Sequence, residues 1–334
     1  MLELNISAKT PSAINGAIKK IKEMTQGGEI KRDTPIRLVL ESGTYRETVK
    51  YNLPNPLIVE AVHGIKNSEC ILMADNCESY NSGLINRGIF VFGPNVTNVT
   101  LKNFTIENTH VKSLQESISP MDSAEALVWN NTNGTLFCDG MKIISRQNTL
   151  YVKGFTFFLN SQICGDVNFI YGEADTAYFE NCEIFAREDN RGDFDAYAVN
   201  SQALADKPGF LFFRCRFTAD KRKKASVYAY RTDGKGNAKS EKGWDSIALV
   251  DCMISDFYSP ELLWDDDMNL EVYPRGNSKI GLREYNSKTV LKNGSVEESD
   301  TSRRNVKSYT LTEEDYFAGY ASRYLMLKDT PFYN

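Results

Sequence analysis

The sequence predicts an all-β fold, a parallel solenoid of short strands closed at its N-terminal end by a helix. Three observations predict it: a short apolar pattern recurs, its copies are spaced by about one coil, and the segment near the chain start has helical spacing. The pattern is two or three apolar or aromatic residues, a polar residue, a small or apolar residue, one more residue, then Ile or Phe. It reads Val99-Thr-Leu-Lys-Asn-Phe-Thr-Ile106, Phe157-Phe-Leu-Asn-Ser-Gln-Ile163, Ala177-Tyr-Phe-Glu-Asn-Cys-Glu-Ile184, Phe210-Leu-Phe-Phe-Arg-Cys-Arg-Phe217 and Ile247-Ala-Leu-Val-Asp-Cys-Met-Ile254. Each copy reads as one short strand.

Aligned on the small central position, the copies fall at Phe104, Ser161, Cys182, Cys215 and Cys252, with a weaker one at Met141, in steps of 37, 20, 21, 33 and 37 residues. A step near the shorter values fits one turn of a solenoid, and a longer step fits a turn carrying a loop. Stacked in this way, Cys182, Cys215 and Cys252 form a ladder inside the coil, with packing rather than chemistry as its role. The stretch Ser12 to Met24 places Ile14, Ala17, Ile18, Ile21 and Met24 on one helical face, which predicts a cap helix over about residues 12–25. A solenoid needs such a cap, because its terminal coil otherwise exposes core and unpaired strand edges. Thr310 to Phe317 reads as a capped short helix in a C-terminal tail of about residues 300–334. No linker divides the chain, so residues 1–334 read as one elongated domain.

Composition excludes several classes of function. With 39 Lys+Arg against 44 Asp+Glu the net charge is −5, which argues against a nucleic-acid platform. No window approaches the roughly 20 apolar residues of a membrane span. The start, Met1-Leu-Glu-Leu-Asn-Ile-Ser7, lacks a basic region followed by an apolar run. The expectation is a cytoplasmic protein as the sequence stands, and a secreted one if a leader was removed. Seven cysteines with no Cys-x-x-Cys pair predict free buried thiols rather than a disulfide framework or a zinc ribbon. His63 and His110 are the only histidines, too few for a histidine-based metal site. Gly234 to Ser240 and the basic run Lys221 to Lys224 both read as solvated loops.

Chemistry is expected where polar residues interrupt apolar strands, at Arg146-Gln-Asn-Thr-Leu-Tyr-Val152 and Gly165-Asp-Val-Asn-Phe-Ile-Tyr-Gly172. Asn148 and Asn168 are 20 residues apart, one coil, and so fall one above the other. Arg231, in Val227-Tyr-Ala-Tyr-Arg-Thr232, is a third candidate on a later strand.

These segments resemble the motifs of the pectin methylesterase (pectinesterase) family of carbohydrate esterases. The resemblance is carried by Gly43-Thr-Tyr-Arg-Glu47, Gln147-Asn-Thr-Leu-Tyr151, Val167-Asn-Phe-Ile-Tyr-Gly172 and Val227-Tyr-Ala-Tyr-Arg231, and extends through Gly281-Leu-Arg-Glu-Tyr-Asn286 and Arg304-Asn-Val-Lys307. It implies a right-handed, single-stranded parallel β-helix of the pectin-lyase-like type. It also implies hydrolysis of carboxylic methyl esters on galacturonan, releasing methanol. The family uses one Asp as nucleophile and a second as acid and then base; Asn168 and Asn148 stand at those positions here. A carboxamide carries neither an anionic oxygen nor a usable pKa, so it serves in neither role. Gln147 keeps a family position that donates to the developing oxyanion, whereas Glu125 takes the place of the second donor glutamine. Arg231 matches the family arginine, and the Trp that follows it is displaced to Trp244.

Three explanations stay open: an esterase with a relocated carboxylate (Glu125, Asp166 or Glu173), a non-catalytic protein that binds oligogalacturonide through Arg231, Gln147, Tyr151, Tyr171 and Trp244, or an engineered substrate trap. Changes at Glu125 and after Arg231 favour natural divergence over the trap. An altered ester or thioester specificity belongs with the first. The implied partner is a pectin-derived oligosaccharide, with no cofactor, no metal and a monomeric chain. Plainer readings stand beside these: an asparagine ladder at a turn for Asn148 and Asn168, a structural ion pair for Arg231, a covered solenoid edge for Tyr151 and Tyr171, and a solvent-facing strand position for Glu125.

Overall fold

A strand that buries only one face must be followed by a corner that returns the chain over the same core, and here the corner is two residues long in most coils and longer between Ala61 and Cys70. The computed structural model describes residues 1–111, 122–188, 196–204, 206–220, 227–231, 243–262, 275–304 and 306–333, without the side chains of Leu204, Arg231, Gly243 and Trp244. The first residue of the corner is left-handed in coil after coil: Asn103 (φ 56°), Gly140 (64°), Asn160 (48°), Asn181 (52°), Arg214 (55°), Asp251 (53°) and Asn286 (51°). Short polar residues and Gly adopt this conformation at least cost. Each copy of the repeat therefore bends at its middle, which corrects the expectation of one strand per copy. Ala174–Glu180 and Glu183–Ala186, for example, belong to different sheets. The apolar pattern runs straight through the corner because residues on both sides of it face the same interior, so the bend leaves no polar gap.

Among the described residues the strands form sheets of eleven, ten and seven strands, with a separate pair. One coil runs through Gly154–Leu159 in the first, Gln162–Gly165 in the second and Val167–Gly172 in the third. It then returns at Ala174–Glu180, parallel to Gly154–Leu159, with Phe158 beside Phe179. The fold is a parallel β-helix. Like side chains stack along its axis: the rings of Phe158, Phe179 and Phe212 are 4.7 and 4.6 Å apart and close to parallel. The predicted thiol ladder lies beside them. Cys182, Cys215 and Cys252 donate to the carbonyls of Phe158, Phe179 and Phe212, each one coil earlier. All seven cysteines are free and buried. Burial pushes the Cys252 thiol up to about 12, so the ladder packs and does not react.

The cap helix spans Ala13–Gln26 and buries Ile14, Ala17, Ile18 and Ile21 against the first coil. Its start is secured from the coil itself. The buried carboxylate of Glu47, in the Gly43-to-Glu47 motif, accepts the N–H groups of Ile14 and Asn15 at 3.0 Å and the Asn15 side-chain amide at 2.7 Å. These are the orphan donors of a first helical turn, and an anion suits that end of the helix. At the other end, helices Glu313–Gly319 and Arg323–Leu327 cover the outer face of the eleven-stranded sheet, where Tyr320, Met326 and Leu327 pack with Phe157, Tyr178, Leu211 and Phe213. Thr312 caps the first of them through Asp315, near the position read from sequence.

Replacing Glu47 with Ala leaves buried donors without an acceptor, at a cost of about 1–3 kcal/mol. The expected outcome is a lower urea midpoint with an unchanged β-type far-UV spectrum; an unchanged midpoint would show that the cap does not depend on this carboxylate.

Candidate functional site

The seven-stranded sheet carries the residues singled out by sequence. Its strands, in spatial order, are Val49–Tyr51, Phe90–Phe92, Leu127–Trp129, Leu150–Val152, Val167–Gly172, Ala196–Ser201 and Val227–Arg231. Parallel pairing places Lys50, Val91, Val128, Tyr151, Tyr171, Asn200 and Arg231 in one row across it. The residues flanking this row, among them Phe90, Leu127, Leu150 and Ile170, lie in the main core, so alternation turns the row outward from Lys50 to Asn200. Gly172 permits the close stacking, since a Cβ there would lie 2.1 Å from the Val152 carbonyl oxygen.

Asn148 and Asn168 meet as their spacing predicts. The Asn148 side-chain amide donates to the Asn168 carbonyl at 2.9 Å. Asn168 has φ 45°, and the register with Ala196–Ser201 shifts between Val167 and Ile170, so this strand carries a bulge at the site. A bulge re-aims the side chain it holds, and Asn is among the few residues that tolerate the left-handed conformation. Gly165 makes room for it, because a Cβ there would lie 2.1 Å from Cβ of Phe169. The plainer reading of an asparagine ladder that satisfies backbone groups fits this contact, and a second row of asparagines, Asn103, Asn160, Asn181 and Asn286, stands at the corners. Gln147 and Asn168 each bury a side-chain oxygen that has no protein partner. An unsatisfied buried acceptor is costly, and a ligand hydroxyl or amide can relieve it.

Glu125 is not solvent-facing: its side chain has no exposure at all. Arg87 grips it with Nε at 2.6 Å and Nη2 at 2.7 Å, and the Tyr171 hydroxyl donates to it at 2.5 Å. The other arm of Arg87 holds Glu78 at 2.5 Å. A carboxylate removed from water requires such pairing. Burial, then the neighbouring Glu125 charge, raises the Tyr171 hydroxyl well above its ordinary range, so it remains a neutral donor. Tyr151 is nearly buried, its ring 5.1 Å from that of Tyr171. Burial pushes its hydroxyl up to about 12.

The other sequence-derived residues divide. Asp166 is buried immediately before the Asn168 strand, whereas exposed Glu173 pairs with Lys153 at 2.9 Å. Arg231 pairs through its backbone with Asn200, and Trp244 through its backbone with Ala203 in the separate antiparallel pair; both side chains lie outside the described residues. So do Lys221 to Lys224 and Gly234 to Ser240. His110 bonds Asp75 at 3.0 Å rather than an asparagine of the site. Among the described residues no cluster of three or more His, Cys, Asp or Glu side chains could hold a metal ion. Sequence reading missed Arg87 and Glu78, since an arginine ending a four-residue helix gives no sign of a partner 38 residues later.

Hydrogen bonds from Ser82 and then Arg87 hold Glu78 down, at about 2 against an ordinary 4.5. A depressed folded-state pKa adds stability that is complete above the ordinary value and is lost as pH falls toward the lowered one. The stability difference between the wild type and Glu78→Gln is therefore expected to be constant at neutral pH and to shrink between about pH 4.5 and 2. Denaturant titrations at several pH values check this; a difference independent of pH would mean that Glu78 gains nothing from its ionised contacts.

Comparison with known proteins agrees with the geometry. The family model described as Pectinesterase matches residues 9–311. Pectinesterase 3 of Citrus sinensis is 33% identical over 106 residues, and Pectinesterase 1 of the same plant 34% over 92. Those segments span 31% and 27% of this chain but only 16% and 14% of the relatives' own length. Among solved structures, the pectin methylesterase of Erwinia chrysanthemi superposes with a TM-score of 0.69 at 16% identity, covering 92% of each chain. A pectin methylesterase mutant in complex with a hexasaccharide gives 0.68 at 17% identity, covering 89% of this chain and 90% of that one. The carrot pectin methylesterase gives 0.64 at 18%, covering 86% of this chain and 82% of the other. At these identities the structures attest a shared fold, while the family model covers nine-tenths of the sequence. The chain belongs to the pectinesterase family.

Proposed function

We propose that this protein binds methyl-esterified uronic-acid oligosaccharides of the pectin type in the furrow on its seven-stranded sheet, and holds them without the two-carboxylate hydrolysis. Family membership supports pectin-esterase-like function and, as a class, carboxylic ester hydrolysis. Fold neighbours solved with hexasaccharides support an oligosaccharide as ligand. One observation carries the departure from turnover: Asn148 donates its amide to the Asn168 backbone, so carboxamides occupy both places where the family resemblance puts the acid and the nucleophile. Two-step hydrolysis needs an anionic oxygen to attack the ester carbon and a proton donor for departing methanol. Neither asparagine supplies one, and Arg87 and Tyr171 occupy Glu125. What remains suits binding: unsatisfied acceptors on Gln147 and Asn168, and the outward edge of Tyr171.

A second reading, methanol release with a relocated carboxylate, draws on Asp166. It is buried beside the bulge, its N–H bonded to the Arg146 carbonyl at 2.9 Å. Calorimetric titration with methyl-esterified oligogalacturonides, together with a methanol assay, separates the two. Binding without methanol is expected. Methanol release abolished by Asp166→Asn would replace the binding reading with the second one, and absence of both signals would overturn both.

The scaffold also predicts how activity could be restored. The left-handed position at Asn168 accepts Asp, so Asn148→Asp with Asn168→Asp should raise methanol release roughly 10²-fold over wild type. A double variant no faster than wild type would show that the furrow no longer holds an ester in reacting position.

A further inference from the structure

The outward row on the seven-stranded sheet is not open along its length. Its first part, at Val91 and Val128, is covered by the short helix Leu84–Arg87 and the glycine after it. Gly88 is pressed against the sheet so closely that a Cβ there would lie 2.8 Å from a methyl group of Val91 and equally from one of Val128. Leu84 packs in the same outer cluster as Val91, Val128 and Tyr151. The segment is tied down on every side. Lys50 donates to the Asn86 side chain at 2.8 Å, the Asn76 amide to the Asn86 carbonyl at 3.0 Å, and Gly83 N–H to Glu78 at 2.9 Å.

Arg87 fixes the face of this segment that looks down the furrow. It reaches to Glu125, one coil on, and at 3.4 Å to the Tyr171 hydroxyl, whose strand lies further along the sheet. Lifting the helix would strip Glu125 of the Arg87 guanidinium and leave it only the Tyr171 hydroxyl, a costly state for a carboxylate set this deep. The segment is thus a fixed wall rather than a moving lid. Beyond it the row continues through Tyr151, Tyr171, Asn200 and the strand of Arg231.

We propose that Ser82–Gly88, locked by the Arg87 pair with Glu125, closes one end of the furrow, so that this protein takes a uronic-acid oligosaccharide by its terminus rather than along the middle of a polymer. The inference rests on the binding reading above and adds to it the form of the ligand: a short chain, or a chain end, whose last ring abuts Arg87 and Tyr171. A terminal ring stops where the backbone of a longer chain would have to pass through Leu84. Arg87 acts here as a positioning residue, through the wall that it holds.

Calorimetry with methyl-esterified oligogalacturonides from the dimer to the dodecamer tests the proposal on the wild-type protein. Affinity per chain is expected to level off after a few residues. Two short oligosaccharides, one with a bulky fluorophore on its reducing end and one with it on the non-reducing end, form the second arm. One of the two should lose about tenfold or more in affinity while the other binds normally. In Arg87→Ala, checked for folding by its unfolding midpoint, the blocked end should be tolerated again. Affinity that keeps rising with length, or equal tolerance of both labels, would overturn the closed end while leaving the binding reading intact. No binding at any length would overturn both.

Discussion

Each functional side chain in this protein is placed by the parallel hydrogen bonding of one coil upon the next. That pairing fixes a translation of about 4.8 Å between residues roughly 20 apart in sequence, and lets no strand slip without carrying its inward residues out of the core. The Asn148-to-Asn168 contact, the Tyr151-to-Tyr171 ring pair and the Phe158-to-Phe179 stack are the same operation seen at three corners of one coil. The site is therefore as rigid as the core beneath it. Two irregularities interrupt the ladder in this coil, a register shift at Gly154 and Phe155 and the bulge at Asn168, and the second lies at the site.

Charge within the furrow obeys a second constraint. A carboxylate at position 125 cannot face a developing negative charge, and it cannot remain buried alone. Arg87 resolves both problems, and Tyr171 adds a hydroxyl where a hydrocarbon ring would leave the carboxylate less satisfied. The three residues form one unit: the buried acid requires the base, and the base requires the helix that delivers it. Negative charge at position 125 is thereby held in a structural joint.

Much of this was legible in the sequence because a solenoid writes its third dimension as a period. The spacing of 20 between Asn148 and Asn168 was sufficient to place them in contact, and the repeat at Cys182, Cys215 and Cys252 to place the thiols inside. The cap helix was legible from its spacing, though its anchor Glu47 was not. The corners were missed because the apolar pattern runs through them without a break. Glu125 was misjudged, since burial of an acid depends on a partner, and Arg87 lies in an irregular stretch between strands where no period applies. Pairing of that kind is a tertiary fact with no local trace.

The short corner between the first and second strands of successive coils has an evolutionary consequence. From Leu159 to Gln162 or Glu180 to Glu183 it holds two residues, and it lengthens from Ala61 to Cys70, whereas the connection from Ala186 to Ala196 into the furrow sheet is several times longer than the short corner. Heritable length variation thus falls mainly at the rim of the furrow. A lineage can alter what the furrow accommodates, one coil at a time, while the scaffold that carries it stays frozen.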